Sequence, residues 1–152
     1  MVTQLIAVGR LRPAFREACD DYLARLRRFG EVEEREIREG PATASADEQR
    51  RFEGRKILEA IPDRAAVIVL DRTGTAWSST ALAAQLDRWR QRQRILALVI
   101  GGSTGVDESV LTRAEARWSL GPLTLPHELA RVVVVEQWYR ALTILHGIPY
   151  HK

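Results

Sequence analysis

Two stretches of this chain, Ala65-Ala66-Val67-Ile68-Val69-Leu70 and Ile95-Leu96-Ala97-Leu98-Val99-Ile100, contain no polar side chain at all. A strand that is apolar at every position can turn neither face to water. Such strands belong to a parallel sheet covered by helices on both sides. The rest of the sequence supplies the covering. Leu5 to Val8 reads as a short strand ending at Gly9. Pro13 then opens a helix with Phe15, Cys19, Tyr22, Leu23 and Leu26 at helical spacing and Gly30 beyond its end. Val32 to Ile37 is a strand whose glutamates suit a sheet edge. Arg38 to Ala46 reads as a loop, and Asp47 to Ala60 as a helix stopped by Pro62. The first apolar strand stops at Asp71, with Gly74 in the turn, and one of Ser78, Ser79 and Thr80 caps a helix carrying Leu82, Leu86 and Trp89. Asp107 caps a short helix to about Ala116, and Glu128 to His146 is the longest helical pattern. The expected fold is therefore α/β: a mainly parallel sheet with helices on both faces, in one domain over residues 1–152.

Charge and cysteine usage narrow the classes further. Lys56 and Lys152 are the only lysines among 23 basic residues, the rest being arginine, and 20 acidic residues nearly cancel them to a net +3. Arginine forks onto phosphate and stacks on bases, so the composition is compatible with a nucleic-acid partner without requiring one. Arg25, Arg27, Arg28, Arg88, Arg90, Arg92 and Arg94 are candidates for gripping RNA, although charge runs on helices are ordinarily solvated faces. Cys19 stands alone, which excludes an internal disulfide. Met1 to Leu5 show no signal-peptide pattern, and no apolar run approaches the roughly 18 residues of a membrane span. A soluble, cytoplasmic protein is expected. The final helix is apolar around most of its circumference (Leu129, Val132 to Val135, Trp138, Leu142, Leu145), so a second subunit is expected to supply part of its cover.

The second apolar strand empties into Gly101-Gly102-Ser103-Thr104-Gly105, which permits three readings. The pattern fits G-x-S-x-G, the nucleophile elbow of a serine hydrolase, with Ser103 as nucleophile. However, too few residues follow to hold a distant acid and a histidine in the required order, and Asp107 is too close to serve. A dinucleotide fingerprint fits worse, because the spacing is not G-x-G-x-x-G and no acidic residue ends a following strand. In the third reading the glycines form a wall that a ligand approaches through bare backbone. Leu70 supplies a floor, and Leu120-Gly121-Pro122-Leu123-Thr124-Leu125 a second wall with apolar side chains and open peptide groups. Such a cleft suits a flat uncharged heterocycle such as adenine. It needs no metal, and His127, His146 and His151 lack the partners and spacing of a zinc site.

Several pieces together carry a resemblance: Leu70-Asp71, Leu98 to Gly102, Trp118-Ser119-Leu120, Leu123-Thr124-Leu125-Pro126-His127, Arg131-Val132, Glu136 with Tyr139-Arg140-Ala141, and Pro149-Tyr150-His151. In these the chain resembles the ribosomal RNA pseudouridine-N3 methyltransferases, small SPOUT-class enzymes that use S-adenosylmethionine. The likeness runs nearly end to end. It implies a trefoil knot near the C-terminus and a homodimer. It also implies a cofactor held by Leu70, Gly101, Gly102 and the segment Leu120, Gly121, Pro122, Leu123, Thr124, Leu125. The implied substrate is a pseudouridine in large-subunit RNA, presented by the assembled ribosome. One departure stands out: the family commonly has Gly-Gly-Pro-Glu-Gly where this chain has Ser103-Thr104, so no carboxylate occupies that position.

The implied reaction is displacement of a sulfonium methyl by an imide nitrogen, in which positioning carries much of the rate and loss of the imide proton is helped by a nearby polar group. His151 and Tyr150, on a short tail after Pro149, are the candidates, with histidine the better base by its ordinary titration range and tyrosine the better stacking platform. Arg140 is a candidate to bind phosphate or polarise a carbonyl, against the alternative of a surface ion pair with Glu136. A non-catalytic ribosome-associated protein of the same fold is the other class the sequence leaves open.

Overall fold

In the computed structural model, which describes residues 1–152, ten elements follow one another: β1 (Val2–Val8), α1 (Pro13–Leu26), β2 (Glu31–Ile37), α2 (Ala46–Ala60), β3 (Ala65–Thr75), α3 (Ser79–Arg92), β4 (Ile95–Ile100), α4 (Glu108–Arg113), β5 (Ala116–Trp118) and α5 (His127–Leu145). The strands form one parallel sheet in the order β2-β1-β4-β3-β5. Helices α1, α3 and α5 pack on one face, and α2 and α4 on the other. The two connections that step toward β2 cross one face, and the two that step toward β5 cross the other, as a single crossover hand requires. β4 and the apolar 65–70 stretch of β3 lie inside the sheet, and the glutamate-bearing β2 lies at its edge, where water reaches one side.

Local chemistry sets the helix starts. The Ser45 hydroxyl accepts from the Glu48 N–H, Ser78 from Ala81, and Asp107 from Ser109, each satisfying an amide that the first helical turn leaves free. Pro13 begins α1, where its missing N–H costs nothing. No helix is long and apolar enough to cross a membrane.

The C-terminal third departs from the sequence expectation in two places. β3 runs past Asp71 to Thr75, and a three-residue strand, β5, follows α4 where the helix was expected to continue to Ala116. Both arise from one contact. Trp118 pairs with Leu70 and again with Thr75, so residues 71–74 arch outward between the two pairings. A Cβ on Gly74 would lie 2.5 Å from the Arg117 carbonyl, so only glycine lets the arch close this tightly over β5.

From β5 the chain returns across the sheet, and α5 lies between α1 and α3. Two side chains set its direction. Arg131 Nη2 donates to the carbonyls of Val8 (3.2 Å) and Gly9 (2.8 Å) at the C-terminal end of β1, and Arg131 Nη1 meets Glu36 at 2.7 Å. Two turns later the Trp138 indole N–H donates to Thr3 Oγ1 (3.2 Å) near the start of β1. Helix α5 therefore runs antiparallel to β1. Replacing Arg131 with leucine, which strands the Val8 and Gly9 carbonyls and leaves Glu36 only its Arg16 partner, is expected to lower the unfolding free energy by about 3 kcal/mol, as urea denaturation at fixed protein concentration will measure.

Candidate active site

Strands β4, β3 and β5 are neighbours, and their C-terminal ends bring the expected cofactor residues together. Val69 pairs with Val99 and Leu70 with Trp118, so Leu70, Gly101 and the segment beginning at Leu120 all emerge at one end of three adjacent strands. This is where ligands bind in open parallel sheets. Leu70 is half-buried there. Residues 119–126 form neither helix nor strand, and the peptide N–H groups of Leu120, Leu123, Thr124 and Leu125 have no acceptor within the chain. The Gly121 N–H is taken by Ser119 Oγ (3.1 Å), and Gly121 adopts φ +106° with open space where a Cβ would stand. Leu123 is 77% exposed. Apolar faces beside uncommitted peptide donors suit a flat, uncharged heterocycle.

The glycine turn is built from below by α2. The Gly105 N–H donates to the Gly102 carbonyl (3.1 Å), closing a turn with Ser103 and Thr104 at its tip. Arg50 Nη1 donates to the Thr104 carbonyl (2.9 Å). Glu53 lies beneath Gly102, where a Cβ would approach Glu53 Oε2 to 3.1 Å. Glu53 is only 4% exposed; its Oε1 accepts from the Gly40 N–H (3.1 Å), and its Oε2 has no partner. Burial pushes its carboxyl above the ordinary range, the Gly40 bond opposes this, and the nearby Glu39 adds to it. This carboxylate was not among the residues the sequence singled out, and a lone glutamate within a charged helix gives no signal of burial.

The second group of candidates assembles around a residue the sequence treated only as an ion-pair partner. Glu136 Oε1 accepts from Arg140 Nε (3.0 Å), Arg140 Nη2 (2.7 Å) and the Tyr150 hydroxyl (3.0 Å). The Arg140 guanidinium sits 4.7 Å over the Tyr150 ring, which meets Tyr139 edge-on at 4.8 Å. Arg140 Nη1 is 3.3 Å from His151 Nδ1. Tyr150, Arg140 and His151 thus form one cluster, and the tail is docked rather than frayed. Burial pushes the Tyr150 phenol well above its ordinary range, and hydrogen bonds with Tyr22 and Glu136 push it the same way. It is a poor base and a well-held ring. The hydrogen bond to Glu136 raises Arg140 in turn, so its charge is permanent.

The two groups do not meet within one chain. Arg140 lies nine residues beyond Arg131, about 13 Å further along α5, toward the N-terminal ends of the strands, whereas the glycines and Leu120–Leu125 lie at the C-terminal ends. Ser103 is exposed at the tip of its turn, with no hydrogen bond from its side chain to histidine or carboxylate, and α4 begins only at Glu108. It has neither the strand-to-helix elbow nor the partners of a serine nucleophile. His127 opens α5 at the strand ends near Glu53.

Because Glu53 is harder to ionise folded than unfolded, stability falls as pH rises from the ordinary carboxylate range through its raised value. Glu53→Gln should unfold at higher denaturant than the parent at neutral pH. The difference should vanish in acid, below the ordinary carboxylate range, as paired urea titrations at the two pH values will show.

Comparison with known proteins gives these features a family. The family model described as predicted SPOUT methyltransferase matches residues 1–151. The chain is 50% identical to the ribosomal RNA large subunit methyltransferase H of Solidesulfovibrio magneticus over 152 residues, with 97% of each chain covered. It is 44% identical to the protein of the same name in Chromohalobacter salexigens, with both chains covered completely, and 45% identical to that of Desulfovibrio desulfuricans, with 96% and 94% covered. Among solved structures it is similar to a probable methylase family protein from Haemophilus influenzae (TM-score 0.56, 14% identity, 99% of this chain and 70% of that one). It is also similar to a protein described in terms of 2-OH methylation of C/U34 on tRNA (TM-score 0.53, 21% identity, 96% and 97% covered). At these identities the structural likenesses speak to the fold alone, that of the knotted SPOUT enzymes. With its full length matched at the level of sequence, the chain belongs to the SPOUT methyltransferase family, in the group of the large-subunit ribosomal RNA methyltransferases H.

Proposed function

We propose that this enzyme methylates N3 of a pseudouridine in large-subunit ribosomal RNA, using S-adenosylmethionine and taking the assembled ribosome as substrate. The observation that carries the reading is the shared end of β4, β3 and β5, where Leu70 and four uncommitted peptide donors of the 120–125 segment emerge, in a chain matched over its full length by ribosomal RNA methyltransferases. A non-catalytic ribosome-binding protein would have no use for that donor set.

S-adenosylmethionine, when bound, would supply an activated methyl group for transfer to the imide nitrogen. The chain's own task is to hold the reactants in line and to stabilise the imide as its proton passes to solvent. Leu70, Gly101, Gly102 and Leu120 to Leu125 would hold the adenosyl group. Arg140, Tyr150 and His151 would hold the base, with Tyr150 as a stacking surface and Arg140 as a fixed cation.

The separation of these two groups along one subunit supports a homodimer in which the tail of one copy completes the cleft of the other. Exposed Leu129 on α5 and Leu123 beside the cleft are consistent with that cover. The reading needs no metal, and the reaction belongs in the cytoplasm with the ribosomes.

Labelled methyl transfer to ribosomes that lack the modification, followed by nucleoside digestion, should place the label on pseudouridine. Label on another nucleoside would overturn the assignment. Calorimetric titration with S-adenosylhomocysteine separates loss of cofactor binding from a wrong substrate. Leu123→Ser should weaken that binding about tenfold, the effect of losing one exposed leucine face that the bound ligand would cover.

A further inference from the structure

We propose that Glu136 is a positioning residue, which clamps Arg140 and Tyr150 and through Arg140 fixes His151 as the neutral tautomer protonated on Nε2. The tail then offers the base a hydrogen-bond donor rather than a proton acceptor. The inference rests on the proposed methylation of an imide nitrogen, and it starts from the bonding around one carboxylate.

Glu136 Oε1 receives three donors, two from Arg140 and one from Tyr150, and Glu136 Oε2 receives the Gln137 amide at 2.6 Å. Arg140 therefore spends Nε and Nη2 on the carboxylate and turns Nη1 toward His151 Nδ1 at 3.3 Å. A guanidinium has donors only and keeps its proton, so in this contact Nδ1 must offer its lone pair. An imidazolium has no lone pair to offer, and the Nδ1–H tautomer would set a donor against a donor. The remaining form carries its hydrogen on Nε2.

The surroundings agree with a fixed arrangement. From α1, Tyr22 lies beside the Tyr150 hydroxyl, and Arg25 sits 5.3 Å over Tyr22 and 5.7 Å over Tyr139 while paired with Asp21 at 3.0 Å. The charged and titratable groups that face the cluster are thus Arg140, Glu136, Tyr139, Tyr150 and His151 from α5 and the tail, with Asp21, Tyr22 and Arg25 from α1. Glu136 is the carboxylate that binds the tail.

The consequence for the reaction is specific. The imide nitrogen is flanked by two carbonyl oxygens, and its negative charge on deprotonation spreads onto them. A donor from Nε2 beside a fixed guanidinium stabilises that charge, and the proton itself leaves to water. Neither tail residue takes it, since Tyr150 is held as a donor to Glu136.

The test pairs spectroscopy with kinetics on the full-length protein. Nitrogen-15 NMR of ring-labelled histidine, with His151 assigned by its absence in His151→Gln, should show Nδ1 unprotonated and Nε2 protonated in the parent, and a loss of that preference in Glu136→Gln. In ribosome methylation, Glu136→Gln should lower kcat about 100-fold while calorimetric binding of S-adenosylhomocysteine is unchanged, and Glu136→Asp should recover part of the loss. His151→Gln keeps a donor near the Nε2 position and should stay within about tenfold of the parent, whereas His151→Ala should lose about 100-fold. His151 is exposed, so neither change threatens the fold. A Glu136→Gln enzyme with full kcat, a His151→Gln enzyme as impaired as His151→Ala, or a proton found on Nδ1 would each overturn the proposal. If the parent transfers no methyl to ribosomes, the methylation reading fails, while the NMR result still decides whether Glu136 sets the tautomer.

Discussion

One guanidinium, 1% exposed, sets how the last third of this protein lies on the first. Arg131 reaches from α5 to the carbonyls that end β1 and to the glutamates of β2, and those same glutamates also hold Arg16 of α1 at 2.6 and 3.1 Å. A charge taken this far out of water is costly unless it is paired and hydrogen-bonded. The cost leaves α5 one arrangement in which Arg131 finds its partners. With Trp138 bonded to Thr3 further along, the helix has neither rotational nor sliding freedom against β1. The glutamates of the edge strand are thus more than a solvated face, since they bind two helices to the sheet.

What hangs on that orientation is the placement of chemistry at two ends of the molecule. The arch at residues 71–74 pins β5 beside β3 and releases the Leu120–Leu125 segment next to Leu70 and Gly101. Helix α5 then carries Arg140, and with it the docked tail, away from that cleft. The cleft has backbone donors and apolar faces, while the tail has a fixed cation, a stacked ring and a terminal imidazole. A methyl transfer between two bound molecules needs both sets at one place. The separation is the physical reason for the second copy of the chain proposed above.

The glycine turn has a matching economy. The position that commonly carries glutamate in related enzymes is Thr104 here, and its carbonyl is tied to Arg50. The carboxylate nearest the turn comes instead from α2, where Glu53 sits under Gly102 with one oxygen bonded and the other without a partner. Such a group is held by the packing around it at a cost in solvation, which its raised pKa expresses.

Much of this architecture could be read from residue order. The apolar runs of β3 and β4, the edge position of β2, the serine and aspartate caps and the span of α5 all follow from local rules: a fully buried strand must be apolar throughout, and a helix start needs an acceptor for its free amides. The irregular, leucine-bearing segment after β5 was legible for the same reason, because its Gly-Pro pair declares a break locally. Strand β5 was not legible: three residues carry no periodicity, and it exists because Ala116, Arg117 and Trp118 pair with Ile68, Val69 and Leu70 of β3. Nor were the central place of Glu136, the burial of Glu53 or the separation of tail from cleft. Each depends on which distant groups surround a charged side chain, and charge patterns along a helix read the same whether the side chain meets water or a partner. The sequence by itself determined the long strands, the caps and the irregular 119–126 segment, since these obey short-range sterics and hydrogen bonding. The tertiary structure alone decided which charges were buried and at which end of the sheet the tail came to rest, because desolvation and long-range pairing are properties of the packed chain.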